Sequence, residues 1–319
     1  MSCACFRFAS LTPHRGRFSL YHSDFCLFKP KICQSPVLNT GPANAAITTH
    51  GYDAEGSERF TLSQPSLAPN GLWSPRVPYA SGYNRLAAWI DSNQPLAVVV
   101  AEEQYYDPNT VFKLQNTFAS GGTTVYVPQV KYTDSQFTTL GVQNLGRSTT
   151  SVTLHYYGGN CSSQTRSIPP NAYYVFRASA ACSLGFVGSA RVSSEQPLAV
   201  LVNEKGEKGY SGFLRGSHTL VLPHVRRGSG WWTGIRVMNV DRGNSTGGTI
   251  NFYDSNGNSA GSAALDISGS YRSVNLGSYV PGSFNGSAVI TANRPIVVSV
   301  IMTLNGSTQQ TMMYNGSNR

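Results

Sequence analysis

Gln94-Pro95-Leu96-Ala97-Val98 returns as Gln196-Pro197-Leu198-Ala199-Val200 and, altered but in phase, as Arg294-Pro295-Ile296-Val297-Val298, at intervals of 102 and 98 residues. Two further anchors keep the same order and nearly the same spacing. Triplets ending in Asn, namely Val37-Leu38-Asn39, Val142-Gln143-Asn144 and Val237-Met238-Asn239, lie 105 and 95 residues apart. A turn-forming tetrad occurs as Leu67-Ala68-Pro69-Asn70, Ile168-Pro169-Pro170-Asn171 and Ile267-Ser268-Gly269-Ser270, spaced 101 and 99. Three anchors in one order, three times over, define a repeat of about 100 residues.

Inside each repeat the apolar period is two. Val152, Leu154 and Tyr156 alternate with Thr153, His155 and Tyr157, and Ile250 and Phe252 alternate with Asn251 and Tyr253. Such alternation over short pieces marks half-buried antiparallel strands. Gly158-Gly159-Asn160 and Asp254-Ser255-Asn256-Gly257-Asn258 follow these strands as turns, because Gly and Asn tolerate positive φ. Ser193-Ser194-Glu195-Gln196-Pro197 reads as a joint between two apolar strands, with Pro at a strand entrance. No stretch of ten residues carries an amphipathic helix. The expected fold class is all-β: tandem immunoglobulin-like antiparallel β-sandwich modules of about 100 residues, the first incomplete.

The expected domains are residues 34–112, 113–218 and 219–319. Repeats two and three share an opening, Val125-Tyr126-Val127-Pro128 against Leu220-Val221-Leu222-Pro223, which repeat one lacks. Residues 1–33 are an atypical segment, expected to be poorly ordered or to come from a wrong start. They lack the continuous apolar core of a secretory leader.

Charge narrows the function classes. The chain carries 24 basic and 15 acidic residues, a net +9, and only 12% of its residues are charged. Arg226-Arg227 is the longest basic run, so the clustered cations of a nucleic-acid surface are missing and no nucleic-acid partner is expected. Apolar runs such as Leu198 to Val202 are strand-sized, far from the roughly 20 residues of a membrane-spanning helix.

The succession of apolar-Pro opening, Val-x-Asn, Ile-Pro-Pro-Asn and Gln-Pro-Leu-Ala-Val resembles the tandem Ig-like, adhesion-type β-sandwich repeats of bacterial secreted and cell-surface proteins. The likeness covers roughly residues 34–319. It implies a scaffold outside the cell and brings no catalytic residue with it.

His50 and His155 share a repeat position with Asn251, which reads as a solvent-facing strand residue rather than a base. Cys3, Cys5, Cys26 and Cys33 do not fit paired zinc spacings. Glu102, Glu103, Asp107, Glu204 and Glu207 read as linker carboxylates, interleaved with Lys205 and Lys208, too poor a set for a calcium site. No metal, cofactor or catalytic residue is expected. Asn39, Asn144 and Asn239 are expected to be structural, satisfying backbone groups at a turn. Among the aromatics, Trp232 matches Phe137 and reads as a core filler, whereas Trp231 matches Gln136 and reads as exposed. Trp231, Tyr157 and Tyr253 are the candidate exposed contacts for sugar rings or a partner, against the plainer reading that they cover a sheet edge. Cys161 and Cys182, gained together in one repeat, are expected to form a disulfide worth about 3 kcal/mol in the chain-entropy picture. That pairing argues for an oxidising, extracellular or cell-surface location. The expected function is a non-enzymatic structural or adhesive repeat array; the alternative is a set of carbohydrate- or protein-binding accessory modules. Expected partners are other surface proteins or glycans.

Overall fold

The computed structural model describes residues 20–21, 31–76, 86–105, 110–204, 208–241, 244–280, 282–306 and 311–318. Among them the chain is built from strands, with two single-turn 3-10 helices and no α-helix. A first group holds β1 (Leu20–Tyr21), β2 (Lys31–Gln34), β3 (Val37–Asn39), β4 (Ala45–Tyr52), β5 (Glu58–Leu67), β6 (Leu72–Trp73), β7 (Ala87–Ser92), β8 (Leu96–Tyr105) and β9 (Thr110–Asn116). A second holds β10 (Gly122–Tyr132), β11 (Thr138–Asn144), β12 (Thr150–Tyr157), β13 (Gln164–Ile168), β14 (Tyr173–Arg177), β15 (Phe186–Glu204) and β16 (Lys208–Ser211). A third holds β17 (Ser217–Arg227), β18 (Trp231–Asn239), β19 (Thr246–Asp254), β20 (Ser259–Ile267), β21 (Tyr271–Asn275), β22 (Phe284–Leu304), β23 (Thr311–Asn315) and β24 (Ser317–Asn318). The described pairings are antiparallel.

Alternation decides which face is inside. Along β12 buried Val152 and Leu154 alternate with half-buried Thr153 and His155, and along β19 buried Ile250 and Phe252 do the same. These β-branched and aromatic residues suit a pleated, half-buried surface. The third group's core gathers Leu222, Ile235, Val237, Ile250, Phe252 and Ile290, and the first group's gathers Val37, Ile47, Ile90 and Val98.

The Gln-Pro motif marks a change of sheet. In the first group β7 belongs to the sheet β1-β7-β4-β5 and β8 to the sheet β2-β8-β3-β6, with Asn93-Gln94-Pro95 between them. In the second and third groups no loop intervenes. β15 and β22 run 19 and 21 residues without a break. The first half of β22 pairs with β17 and β19, and its second half with β18 and β23. Proline, which has no N–H to offer, sits where the strand leaves one ladder for the next. The expected joint between two strands is thus one continuous strand in two of the three groups.

Register repeats as well. β3 on β8 pairs Val37↔Val98 and Asn39↔Leu96, and β18 on β22 pairs Val237↔Val298 and Asn239↔Ile296. β2 extends the β3 line along β8, with Lys31↔Gln104 where β18 has Trp231↔Leu304. β1 pairs with β7 on the side away from β4, the place β17 takes on β22. β1 and β2 therefore stand where the sequence shows no repeat of the opening strands, since ladder bonds are made by backbone and ask little of side chains. The rest of residues 1–33, with Cys3, Cys5 and Cys26, lies outside the described residues.

By contact density the chain divides into two compact units. One comprises Met1–Gly121, Gln143–Thr149 and Ile168–Tyr173; the other comprises Gly122–Val142, Thr150–Ser167 and Tyr174–Arg319. The boundaries expected at 112/113 and 218/219 fall inside β9 and β17, because β9 closes back onto β8 and β17 has already begun to pair with β22.

Phe252 is fully buried and its neighbour Asn251 lies on the opposite face. Phe252→Ala is expected to cost about 3–5 kcal/mol in urea unfolding, and Asn251→Ala under about 1 kcal/mol.

Candidate functional site

The most repeated side-chain arrangement is an asparagine buried at one end of each strand group. Asn39, Asn144 and Asn239 close β3, β11 and β18 and are each 0% exposed. The Asn39 amide donates to the carbonyls of Ala43 and Leu67 at 2.8 and 2.9 Å, and its oxygen accepts from the Gly41 N–H at 2.9 Å. The Asn144 amide donates to Ser148 and Ile168, both at 2.9 Å, and its oxygen accepts from Gly146 at 2.8 Å. Asn239 donates to the Asn244 carbonyl at 2.7 Å and accepts from the Asp241 N–H at 3.0 Å.

The other two anchors converge on the same node. Asn70 and Asn171 take left-handed backbone, with φ of 60° and 64°. They donate their N–H to the carbonyls of Asn39 and Asn144 at 2.9 and 3.0 Å. Asparagine is among the few residues that tolerate this conformation. The residues after Asn39 and Asn239, Thr40 and Val240, donate to the carbonyls of Pro95 and Pro295 at 3.0 and 3.1 Å. Three sequence motifs about 30 to 60 residues apart are one hydrogen-bonded junction.

The β4–β5 and β19–β20 hairpins are closed by a carboxylate, which the sequence reading missed although Asp-x-x-Gly occurs at 53/56 and 254/257. Asp53 Oδ1 accepts from the N–H of Glu55 and Ser57 at 3.0 and 2.8 Å, and Asp254 Oδ1 accepts from Asn256 and Asn258 at 2.9 and 2.8 Å. Gly56 and Gly257 follow, both with φ of 85°. Burial works to raise the pKa of Asp53, but the Ser57 N–H and the Arg59 guanidinium outweigh it and hold the carboxyl below the ordinary 3.8. The second group has no such aspartate. There Cys161 and Cys182 lie at disulfide distance, with S–S 2.14 Å and Cα–Cα 4.3 Å, and tie the end of the β12–β13 hairpin to the turn before β15.

The aromatics part from the expectation at the tryptophans. Trp231 is half-buried against the third group's core, with the Arg226 guanidinium 5.1 Å above its ring, and Trp232 is 42% exposed. Phase is the cause. Trp231 shares the inward phase of Thr233, Ile235 and Val237, whereas Trp232 faces outward and its ring lies over Gly234. The expected placement of the two is therefore reversed in the structure. Tyr157 and Tyr253 are half-buried on the outward phase, at the same place opposite Ser189 and Ser287.

Two of the described histidines meet polar partners on strand faces. His155 Nδ1 lies 2.9 Å from the Ser163 hydroxyl on a strand face. His50 stands between two carboxylates, with Nδ1 3.1 Å from Glu58 and Nε2 3.8 Å from Asp91, and beside the rings of Tyr52 and Trp89. Hydrogen bonds from Thr61 and His50 hold Glu58 below the usual carboxylate range. No group of three or more metal-ligating side chains occurs among the described residues.

Glu204 overturns its assignment as a linker acid. It is the last residue of β15 and 0% exposed, with the Gln129 amide donating to it and Lys131 Nζ 3.6 Å away. Beside it the Tyr210 hydroxyl donates to the Gln129 carbonyl at 2.8 Å and accepts from the Gln129 N–H at 3.0 Å. Burial, with the Glu204 charge adding to it, pushes the Tyr210 pKa well up. Arg236 of the third group approaches the same cluster, and burial lowers its pKa while Tyr271, Glu204 and Tyr210 work against that. Tyr271 donates to the Val187 carbonyl at 2.7 Å, and the Asn315 amide to the Ser211 carbonyl at 2.8 Å. This polar joint lies within one compact unit.

No protein-family model matches the chain, and no curated protein is a significant match. No helix of the described residues is long and apolar enough to cross a membrane.

Asn144→Ala leaves buried carbonyls and an N–H without their partner. The variant is expected to lose about 1–3 kcal/mol, seen as an earlier chemical-denaturation midpoint. The acid response of Asp53 has a definite sign. Its folded pKa is depressed, so its contribution is complete above the ordinary value of 3.8 and disappears as pH falls through the lower folded value. Asp53→Asn should therefore melt earlier than the parent at pH 7, with the gap closing as the pH is taken below that window.

Proposed function

We propose that the chain is a non-enzymatic structural or adhesive array of tandem Ig-like sandwich modules belonging to an extracellular or cell-surface protein. The observation that carries this reading is the asparagine node. The side chains that recur from group to group spend their hydrogen bonds on backbone turns, which is the chemistry of a scaffold that must hold one shape. The Cys161–Cys182 pair supports an oxidising compartment. Short-range polar joints of the Glu204–Tyr210–Arg236 kind suit modules held in a fixed relation.

A second reading, a carbohydrate- or protein-binding accessory module set, has one observation in its favour. Half-buried Trp89, backed by the buried Tyr52 ring at a centroid distance of 4.9 Å, stands beside His50, Glu58 and Asp91. Aromatic faces next to carboxylates can stack on sugar rings and hydrogen-bond their hydroxyls. Titration calorimetry against a panel of oligosaccharides separates the two. The scaffold reading expects no saturable heat with any of them. Saturable binding that Trp89→Ala abolishes, without a fall in melting temperature, would replace it with the second.

A further inference from the structure

The outer face of the β18–β22 sheet is buried although it lies outside the third group's core. Met238, Val297, Ser299 and Ile301 are at most 4% exposed, and Arg236 lies among them. Their cover is the second group, whose β10 lies against β18 and β22 and whose β16 lies against β23. On the covering side the bulge residues Pro128 and Gln129 are buried, with Tyr210 clamped onto Gln129.

Both halves of this joint recur with less cover. By register, Leu38, Ala97 and Val99 of the first group occupy the places of Met238, Val297 and Ser299, and Leu72, opposite Leu38, occupies that of Tyr271, opposite Met238. This apolar face is partly open: Leu38 and Val99 are half-buried, and Leu72 is 66% exposed. The third group in turn repeats the covering side. β17 has its bulge between Leu222 and Val225, as β10 has between Val127 and Val130, and Tyr314 donates to the His224 carbonyl as Tyr210 does to that of Gln129. Here, however, Pro223 and His224 are exposed, and Met312 on the adjoining strand is 46% exposed.

We propose that the chain associates head to tail with a second copy of itself, the Leu72 face of one copy docking on the Pro223–His224–Met312 end of the next. The proposal rests on the modular-array reading, because it extends to a second molecule the contact by which the third group sits on the second. An interface between two different surfaces is not self-complementary, so it generates rings or open chains rather than an isologous two-fold dimer. Exposed apolar side chains of this size at complementary places are what such contacts bury.

The test is sedimentation velocity over a micromolar concentration series with the full chain, Leu72→Asp and Met312→Asp. The parent should grow from monomer to dimer and longer species as concentration rises. Each variant alone lacks one half of every joint and should stay monomeric. An equimolar mixture of the two retains one intact pair of surfaces and should stop at a heterodimer, a doubling of mass and no more. Both residues are exposed, so melting temperatures should match the parent; were one variant to melt early, Leu72→Lys or Met312→Lys replaces it. A parent that stays monomeric throughout, or a mixture that stays monomeric while the parent associates, overturns the proposal. Neither result touches the array reading, which instead falls to saturable oligosaccharide binding.

Discussion

A buried asparagine at the end of a strand is the constraint on which the fold is hung. Where strands leave their ladders, carbonyls and N–H groups lose partners inside the protein, and each one left bare costs about 1–3 kcal/mol. A single carboxamide can both donate and accept, and Asn39 and Asn144 each donate twice and accept once. Satisfying that geometry goes with a following loop that curls back, a facing turn that enters left-handed backbone at Asn70 and Asn171, and a long strand that changes ladders at its proline. Side-chain and main-chain bonds at and beside that one residue tie these elements together. Among the described residues no such node recurs at the opposite end of a group, and there the chain tolerates differences as large as Glu204 against Met302.

The joint inside the larger unit follows a different principle. Glu204, Lys131 and Arg236 bring charge into a buried place, where desolvation cancels much of the attraction between them. What such a cluster supplies is discrimination. A sheet face that slid by one residue would strand Arg236 away from Tyr210 and Glu204 and break the bonds from Tyr271 and Asn315. Apolar neighbours such as Met238 and Ile301 supply the burial, and the polar groups select one way of achieving it.

Much of this was legible before any coordinates. The period, the alternation and the asparagine anchors are backbone problems solved by particular residue types, so they leave particular residues behind. The cysteine pair was legible for the same reason. What escaped was whatever depends on phase or on backbone alone. Trp231 and Trp232 were sorted by likeness to Gln136 and Phe137, though inward and outward are decided by parity along β18. β1 and β2 pair through main-chain groups and need not repeat the sequence of β10 or of β17 and β18. Glu204 has the composition of a linker acid, and only the surrounding Gln129, Lys131 and Tyr210 reveal that it is interior.

The cysteine bridge also bears on what happens when the molecule is pulled from its two ends. Force can lengthen an unfolded group only by the chain that lies free between its points of attachment. The bridge joins residues 21 apart, and at roughly 3.4 Å of extension per residue about 70 Å of chain is withheld from the second group. The first and third groups close the corresponding hairpin through Asp53 and Asp254, noncovalent contacts that load can break. The second group is thereby less extensible than its ladders alone would leave it, and a reductant converts that stiffness into slack.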